Sequence, residues 1–366
     1  MVIEYSNLKR FYLRDKLRID DAMQEFLSNS FYIGGEAVKS FEDKFKNYIG
    51  APFCSGVGNG LDAISIALKA LGIGPGDEVL VPAQTFIATW MAVSLNGAIP
   101  VPVDISLKNF AIDPMELEKH VTPSTKAVIL VHLFGMPADL KKIKNFCGAY
   151  GLHLIEDAAQ AHGSLFQGKK IGSHGNLCCW SFYPGKNLGA FGDAGGITGF
   201  DEEIMLRVAK ISNYGSRTKY NHELLGVNSR LDGLQAKLLE LKIDHLNNDN
   251  LKRKSIAKLY IENISNRNLH LPKVEFLDTS SFHIFPLLVN NNRDFLKHYL
   301  MERGVETNIH YPFPPYLNAC YQALGYRNGS FPNAEKIANE ELSLPISPFT
   351  TFDEALYIVD MLNEWR

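Results

Sequence analysis

The sequence predicts an α/β protein with a large domain on a mostly parallel sheet and a smaller C-terminal α/β domain. Three observations predict it. Short apolar runs alternate with helical patterns between residues 78 and 156, as in repeated β-α-β units. The chain has 366 residues, enough for a large domain and a small one with a substantial core. After a long leucine-rich stretch over residues 231–260, the alternation restarts beyond Pro272.

In chain order, residues 19–27 read as a helix before a turn at Gly34-Gly35, and residues 37–48 as a second helix. Gly56-Val57-Gly58-Asn59-Gly60 introduces a helix over residues 61–71, which Gly72, Gly74, Pro75 and Gly76 end. Strands are expected at 78–82, 99–103, 126–132 and 153–156, with helices at 85–96, 115–121 and 141–150 between them. Asp104, His132, Asp157 and the segment after Trp180 then fall near the carboxyl ends of strands, where such sheets bind ligands. The stretch 231–260 is a long helix, with a kink or break expected in the polar run 244–250. A strand at 283–289, a helix at 293–303 and a last helix at 353–365 complete the chain. The domains are expected at 1–245 and 246–366.

Bulk properties exclude several classes. Hydrophobic residues make up 46% and the net charge is -3, so no basic excess points to nucleic acid. No apolar run approaches the roughly 20 residues that span a bilayer. Met1-Val2-Ile3-Glu4-Tyr5 lacks the basic start and apolar centre of a signal peptide, and a cytoplasmic protein is expected. The five cysteines form no CxxC pair and an odd count argues against a disulfide framework. Cys178 and Cys179 point to opposite faces if they lie on a strand, so no metal site is expected of them.

Lys186 carries the most information. It sits in Ser181-Phe182-Tyr183-Pro184-Gly185-Lys186-Asn187-Leu188-Gly189, after the apolar run Leu177-Cys178-Cys179-Trp180. Pro184 and Gly185 force an irregular backbone just before it. A lysine in such a turn can hold an aldehyde cofactor as a Schiff base and shuttle protons, and burial would favour its neutral form. Upstream, Asp157 follows an apolar segment in Glu156-Asp157-Ala158-Ala159-Gln160. An acid there can keep a pyridinium nitrogen protonated, and Gln160 can reach another polar edge of the ring; a carboxylate in this place also serves to cap a turn. The pair suggests pyridoxal phosphate. Ser181 and the backbone N–H groups opening the helix at Gly60-Leu61 suit its phosphate. Phe86 can stack on a ring or pack in the core. Asn228 and Arg230 either cap the long helix or reach an anion across a subunit interface. His310-Tyr311-Pro312 begins a rigid aromatic loop that suits the rim of a sugar or base site.

Taken in order, these segments resemble the DegT/DnrJ family of sugar aminotransferases, over nearly the whole chain. The resemblance covers Tyr32-Ile33-Gly34-Gly35, Gly60-Leu61-Asp62-Ala63, Gly76-Asp77-Glu78-Val79, residues 82–89, 156–163, 181–196 and 226–235, and His310-Tyr311-Pro312. It implies the aspartate aminotransferase-like fold with pyridoxal phosphate. Lys186 would be the Schiff-base lysine and proton shuttle, Asp157 the ring-nitrogen partner, Gln160 the contact on the ring's hydroxyl side, and Phe86 the stacking group. Gly60, Leu61 and Ser181 would hold the phosphate, completed by Asn228 of a second subunit, so a homodimer is implied. Many relatives have threonine or serine where Leu61 stands, which leaves only its backbone N–H for that task. Substrate contacts are expected from Tyr183, Arg230, His310 and Tyr311. Where relatives often place His and Gln, this chain has Tyr316 and Asn318.

The expected reaction is transfer of an amino group from L-glutamate to a nucleotide-linked keto-6-deoxy sugar. Ile3-Glu4-Tyr5 and the Gly34-Gly35 turn look closest to the branch acting on dTDP-3-keto-6-deoxyhexoses, which makes precursors of surface glycans or antibiotic sugars. Amination at C4 of a dTDP- or UDP-linked 4-keto sugar is the alternative, and a catalytically inactive regulator or binding protein is the alternative of another class.

Overall fold

The computed structural model describes residues 2–29, 31–290 and 292–366. The chain opens with α1 (Leu8–Arg14), α2 (Lys16–Leu27) and α3 (Gly35–Ile49). β1 (Phe53–Val57) leads into α4 (Gly60–Ala70), followed by β2 (Glu78–Pro82), α5 (Ala88–Leu95), β3 (Ile99–Val103), β4 (Thr125–Val131), α6 (Leu140–Tyr150) and β5 (His153–Asp157). A hairpin of β6 (Leu165–Phe166) and β7 (Lys169–Lys170) precedes β8 (Leu177–Ser181) and β9 (Gly195–Gly199). Then come α7 (Glu202–Ser212), the hairpin β10 (Ser216–Thr218) and β11 (Asn221–His222), and the long α8 (Gly233–Asn263). The C-terminal part holds β12 (Leu269–His270), β13 (Phe285–Val289), α9 (Arg293–Glu302), α10 (Pro332–Glu340), β14 (Glu341–Leu344) and α11 (Phe352–Glu364).

The central sheet has seven strands in the order β1-β9-β8-β5-β4-β2-β3. The pairs from β8 to β3 are parallel, and β9 alone runs against its neighbours β1 and β8. This is the mostly parallel sheet the alternation predicts. Its strands are apolar on both faces because helices cover both. Val79, Val81, Ala127, Ile129, Ile155, Cys179 and Ile197 pack with α4, α5 and α7. The intervening residues Leu80, Val128 and Leu130 pack with α6, while Cys178 and Trp180 meet α3 and α8. Cys178 and Cys179 therefore do face opposite ways, as residue alternation on a strand requires. All five cysteines are unpaired. A separate sheet, β12-β13-β14, is flanked by the C-terminal helices. No helix among the described residues is long and apolar enough to cross a membrane.

Two expectations need correction. Residues 115–121 form only a 3₁₀ turn, Leu117–His120, in which Leu117 alone is buried. One apolar residue presents no face to pack, and the proline at 123 blocks further helix. Secondly, α8 runs unbroken through 244–250. Asp244, Asn247 and Asn248 point outward there, while the buried Asp249 and Asn250 find partners in Arg14 and Asn187. Polar residues inside a helix do not break it when tertiary contacts satisfy them.

Candidate active site

Period-two alternation on β5 buries Asp157 on the α5 side and turns Glu156 to the other face, where it meets His132 Nε2 at 3.0 Å and Asn176 Nδ2 at 2.9 Å. The amide of Ala138 donates to His132 Nδ1 at 3.1 Å, so the ring proton sits on Nε2 and is given to Glu156. Asp157 ends its strand with two donors: Thr89 Oγ1 at 2.9 Å and the Ala159 amide at 3.2 Å. Thr85 Oγ1, in the bend before α5, lies 3.0 Å from Thr89 Oγ1 and extends this set. Burial raises the Asp157 pKa, against the lowering effects of those two donors, Lys186 and His132. A cation at its remaining lone pairs would reverse that penalty.

Lys186 stands in the turn after β8, its amide bonded to the Tyr183 carbonyl at 2.8 Å. The residue is half-buried and its amine faces the same cavity as Asp157. Desolvation pulls the Lys186 pKa down to about 8, with Asp157 acting in the opposite direction. An amine that is substantially neutral near pH 8 can attack a carbonyl and accept protons.

At the start of α4, Asn59 caps the helix by accepting the Asp62 amide at 2.8 Å. The amides of Gly60 and Leu61 have no protein acceptor among the described residues, and both residues line the cavity. A methyl group on Gly60 would come within 2.7 Å of Ser181 Cβ and 3.2 Å of Ser181 Oγ. The glycine thus leaves the space between the helix start and the Ser181 hydroxyl, which makes a cradle for a phosphate. Replacing Gly60 with alanine is expected to weaken cofactor binding by about tenfold or more, roughly 1.4 kcal/mol. Absorbance titration of the apoprotein with cofactor measures this; unchanged affinity would remove Gly60 from the cradle.

The opposite wall comes from the C-terminal part of the chain. Tyr311 OH accepts from Gln160 Nε2 at 3.2 Å, and the Gln160 carbonyl oxygen takes the Phe134 amide. Phe86 lies against Tyr311 with ring centroids 5.3 Å apart, and it is 53% exposed, so it is no core residue. His310 Nδ1 lies 2.8 Å from Ser343 Oγ, and burial with nearby Lys186 brings the His310 pKa to about 4. The His310 imidazole is therefore neutral at pH 7.

The cavity has a volume of about 680 Å³. It gathers Gly60, Leu61, Phe86, Asp157, Gln160 and Ser181 with Tyr183, Lys186, His310 and Tyr311. Asn228 and Arg230 are not brought there within one chain. Asn228 is exposed and bridges to Asn213, and Arg230 Nη1 reaches Asn213 Oδ1 at 3.4 Å with its guanidinium over Tyr214. Asp104 also leaves the site, because its carboxylate takes the amides of Asn333 and Ala334 at the start of α10. Tyr316 is buried with its hydroxyl 2.6 Å from Glu335, and Asn318 donates to Pro314 and Pro315, so both serve packing.

Sequence reasoning missed several lining residues: Tyr5, Thr89, Arg253, His283 and Asn308. Only the Thr85/Thr89 pair, four residues apart around Phe86, left a signal that could have been read. The donor set present here fits pyridoxal phosphate. An acid, an amine, a helix-start cradle and an exposed aromatic face one space.

Comparison with known proteins agrees. The profile of the DegT/DnrJ/EryC1/StrS aminotransferase family matches residues 14–363. A dTDP-3-amino-3,6-dideoxy-alpha-D-galactopyranose transaminase of Aneurinibacillus thermoaerophilus is 43% identical over 364 residues, covering 100% of this chain and 99% of that protein. The crystal structure of S. venezuelae DesV in complex with a ketimine intermediate superimposes with a TM-score of 0.97 at 40% identity, over 100% of this chain and 98% of that one. That of ntda from Bacillus subtilis with bound cofactor PMP gives 0.92 at 30% identity, over 99% and 84%. With the family profile, these relatives and the lysine–acid cavity all in agreement, this chain belongs to the DegT/DnrJ/EryC1/StrS aminotransferase family.

Proposed function

We propose that this aminotransferase carries an amino group from L-glutamate to C3 of a dTDP-linked 3-keto-6-deoxyhexose, giving a dTDP-3-amino-3,6-dideoxyhexose. The observation that carries the chemistry is the shared cavity of Lys186 and Asp157, with the helix-start cradle beside them. The relative that makes a dTDP-3-amino-3,6-dideoxy sugar, similar over the full chain, supports the choice of sugar.

The Gly60 and Leu61 amides and the Ser181 hydroxyl would hold the phosphate of pyridoxal phosphate, which would supply a protonated ring able to accept electrons from the donor's α carbon. The chain's own residues do the rest. Asp157, fixed by Thr89 and the Ala159 amide, presents an anion to the ring nitrogen. Gln160 addresses the ring's hydroxyl side, and Phe86 covers a face. Lys186 Nζ would take the proton from the amino donor's Cα and return it two atoms away, a 1,3 transfer, as base and then acid. Tyr183, His310 and Tyr311 surround the sugar. His310 is neutral and cannot repel a cationic amino group as the product forms.

The same reading assigns Asn228 and Arg230 to the site of a second subunit, where they would meet phosphate groups, so the working unit is a homodimer. Their distance from this chain's own cavity supports that assignment. It also divides the chain at 245/246 into a large cofactor domain and a small C-terminal domain, with α8 continuous between them. The unpaired cysteines suit a cytoplasmic enzyme, and its product would feed surface-polysaccharide or related amino-sugar synthesis.

Purified enzyme should be offered dTDP-3-keto- and dTDP-4-keto-6-deoxyhexoses with glutamate, and the products examined by NMR. Amination at C3 is the expected outcome. A product aminated only at C4 would overturn the choice of carbon.

A further inference from the structure

We propose that Arg253 receives the carboxylate of the amino donor, docking it beside Lys186; this rests on the aminotransferase reading above. Arg253 lies within α8, lines the cavity and is only 4% exposed. Its Nη1 donates to three carbonyls, Ile346 at 2.8 Å, His283 at 3.3 Å and Phe282 at 3.5 Å. These bonds fix the plane of the guanidinium. The other edge is different. Nε is buried with no partner, and none of the described residues accepts from Nη2.

Among the described residues no carboxylate bonds this guanidinium. Asp249, one turn earlier on α8, is held by Arg14 Nη1 at 2.7 and 3.0 Å. A buried guanidinium with an unpaired edge is costly unless an anion completes it. The Nε–H and Nη2–H donors are parallel, and that spacing matches the two oxygens of one carboxylate.

Position decides between possible anions. The His283 carbonyl bonds Arg253, and the His283 ring gives its Nδ1 proton to Asn187 Oδ1 at 3.1 Å, the residue next to Lys186. Arg253 and Lys186 line the same cavity, so an anion on Arg253 shares the space of the reacting amine. An amino acid carries its carboxylate one bond from the carbon that bears the nitrogen. In a nucleotide sugar the diphosphate is separated from the keto carbon by part of the sugar ring, and it brings a nucleoside with it. A buried edge such as this one suits a compact carboxylate better than a diphosphate carrying a nucleoside. Of the titratable groups around Arg253, Asp249 is held by Arg14, while burial raises the Tyr5 hydroxyl pKa and lowers that of the His283 ring.

The test separates the two half-reactions of the holoenzyme. Arg253→Met should raise the KM for glutamate by about 100-fold or more, the loss expected when one partner of a buried charge pair is removed. Alanine as donor should suffer equally, since it shares only the α-carboxylate. The return half-reaction, keto sugar with the amine-loaded enzyme, should stay within about twofold, because uniform loss of donor binding leaves that step untouched. Maleate, a dicarboxylate without an amine, should bind the wild-type holoenzyme in calorimetry and not the variant, which a purely structural role would not produce. If the methionine variant fails to fold, Arg253→Lys keeps the charge and loses the fork, and about a tenfold rise in donor KM is expected. An unchanged donor KM overturns the proposal, as does an equal loss for the nucleotide sugar, which would make Arg253 a phosphate contact. Wild-type enzyme that turns over neither glutamate nor any nucleotide-linked keto sugar would instead defeat the underlying reading.

Discussion

Lys186→Ala enzyme is expected to lose about 10²–10⁴-fold in kcat, the contribution of a positioned proton-transfer group. The fold should survive, because Lys186 is half-buried in a turn whose backbone bonds do not use its side chain. The cofactor should still bind, since Gly60, Leu61, Ser181 and Asp157 are untouched, but borohydride should no longer fix it to the chain. Single-turnover kinetics with glutamate measures the loss; an alanine variant turning over at the wild-type rate would sink the assignment. The pH profile adds a second check. Burial brings the Lys186 pKa to about 8, so in the apoprotein the neutral amine grows as pH rises toward 8 and predominates above it. Capture of added cofactor aldehyde by the apoprotein should therefore speed up between about pH 6 and 8 and then level off. The sign for stability is the same. Between about 8 and the ordinary lysine value, the unfolded chain holds a proton that the folded apoprotein does not, so this group makes stability rise with pH across that window.

The second large effect is at Asp157. Asp157→Asn keeps the shape and removes the anion assigned above to the ring nitrogen. A decrease of about 10³-fold in kcat/KM is expected, roughly 4 kcal/mol of transition-state stabilisation. The stability of the apoprotein should hardly fall, because burial already disfavours the charged carboxylate there. The added stability on loading with cofactor should fall sharply instead. Comparing melting temperatures with and without cofactor separates these cases. A variant that loses apoprotein stability while keeping activity would show Asp157 to be a turn cap and no more.

Particular residues show how far the sequence could be read. β2 and β3 have the expected ends, because each is a short apolar run between polar turns and is covered on both faces. β9 carries three glycines in Gly195-Gly196-Ile197-Thr198-Gly199 and shows no strand pattern in the sequence. The reason is tertiary: a side chain on Gly195 would lie 2.4 Å from the Asn59 backbone, and one on Gly196 would press on Phe182. Glycine there permits close approach of the strand to its neighbours, a requirement that leaves no strand-like signal in the residues themselves. α1 is short, buries none of its residues and lacks a periodic face, so nothing in the local pattern marks it. Yet it carries Arg14, the partner that occupies Asp249.

The candidate site divides in the same way. By itself the sequence determined the chemistry, because a lysine in an irregular turn and an acid at a strand end are local arrangements and their residue types name their reactions. It also determined the strand ends that bring Asp157, Ser181 and the start of α4 to one edge of the sheet. Only the tertiary structure decided which distant groups close that edge. Thr89 on Asp157, Tyr311 on Gln160 and the Ile346 carbonyl that holds Arg253 come from contacts across 68, 151 and 93 residues of chain. Such contacts depend on which side chains burial leaves without water, and that is a property of the packed whole.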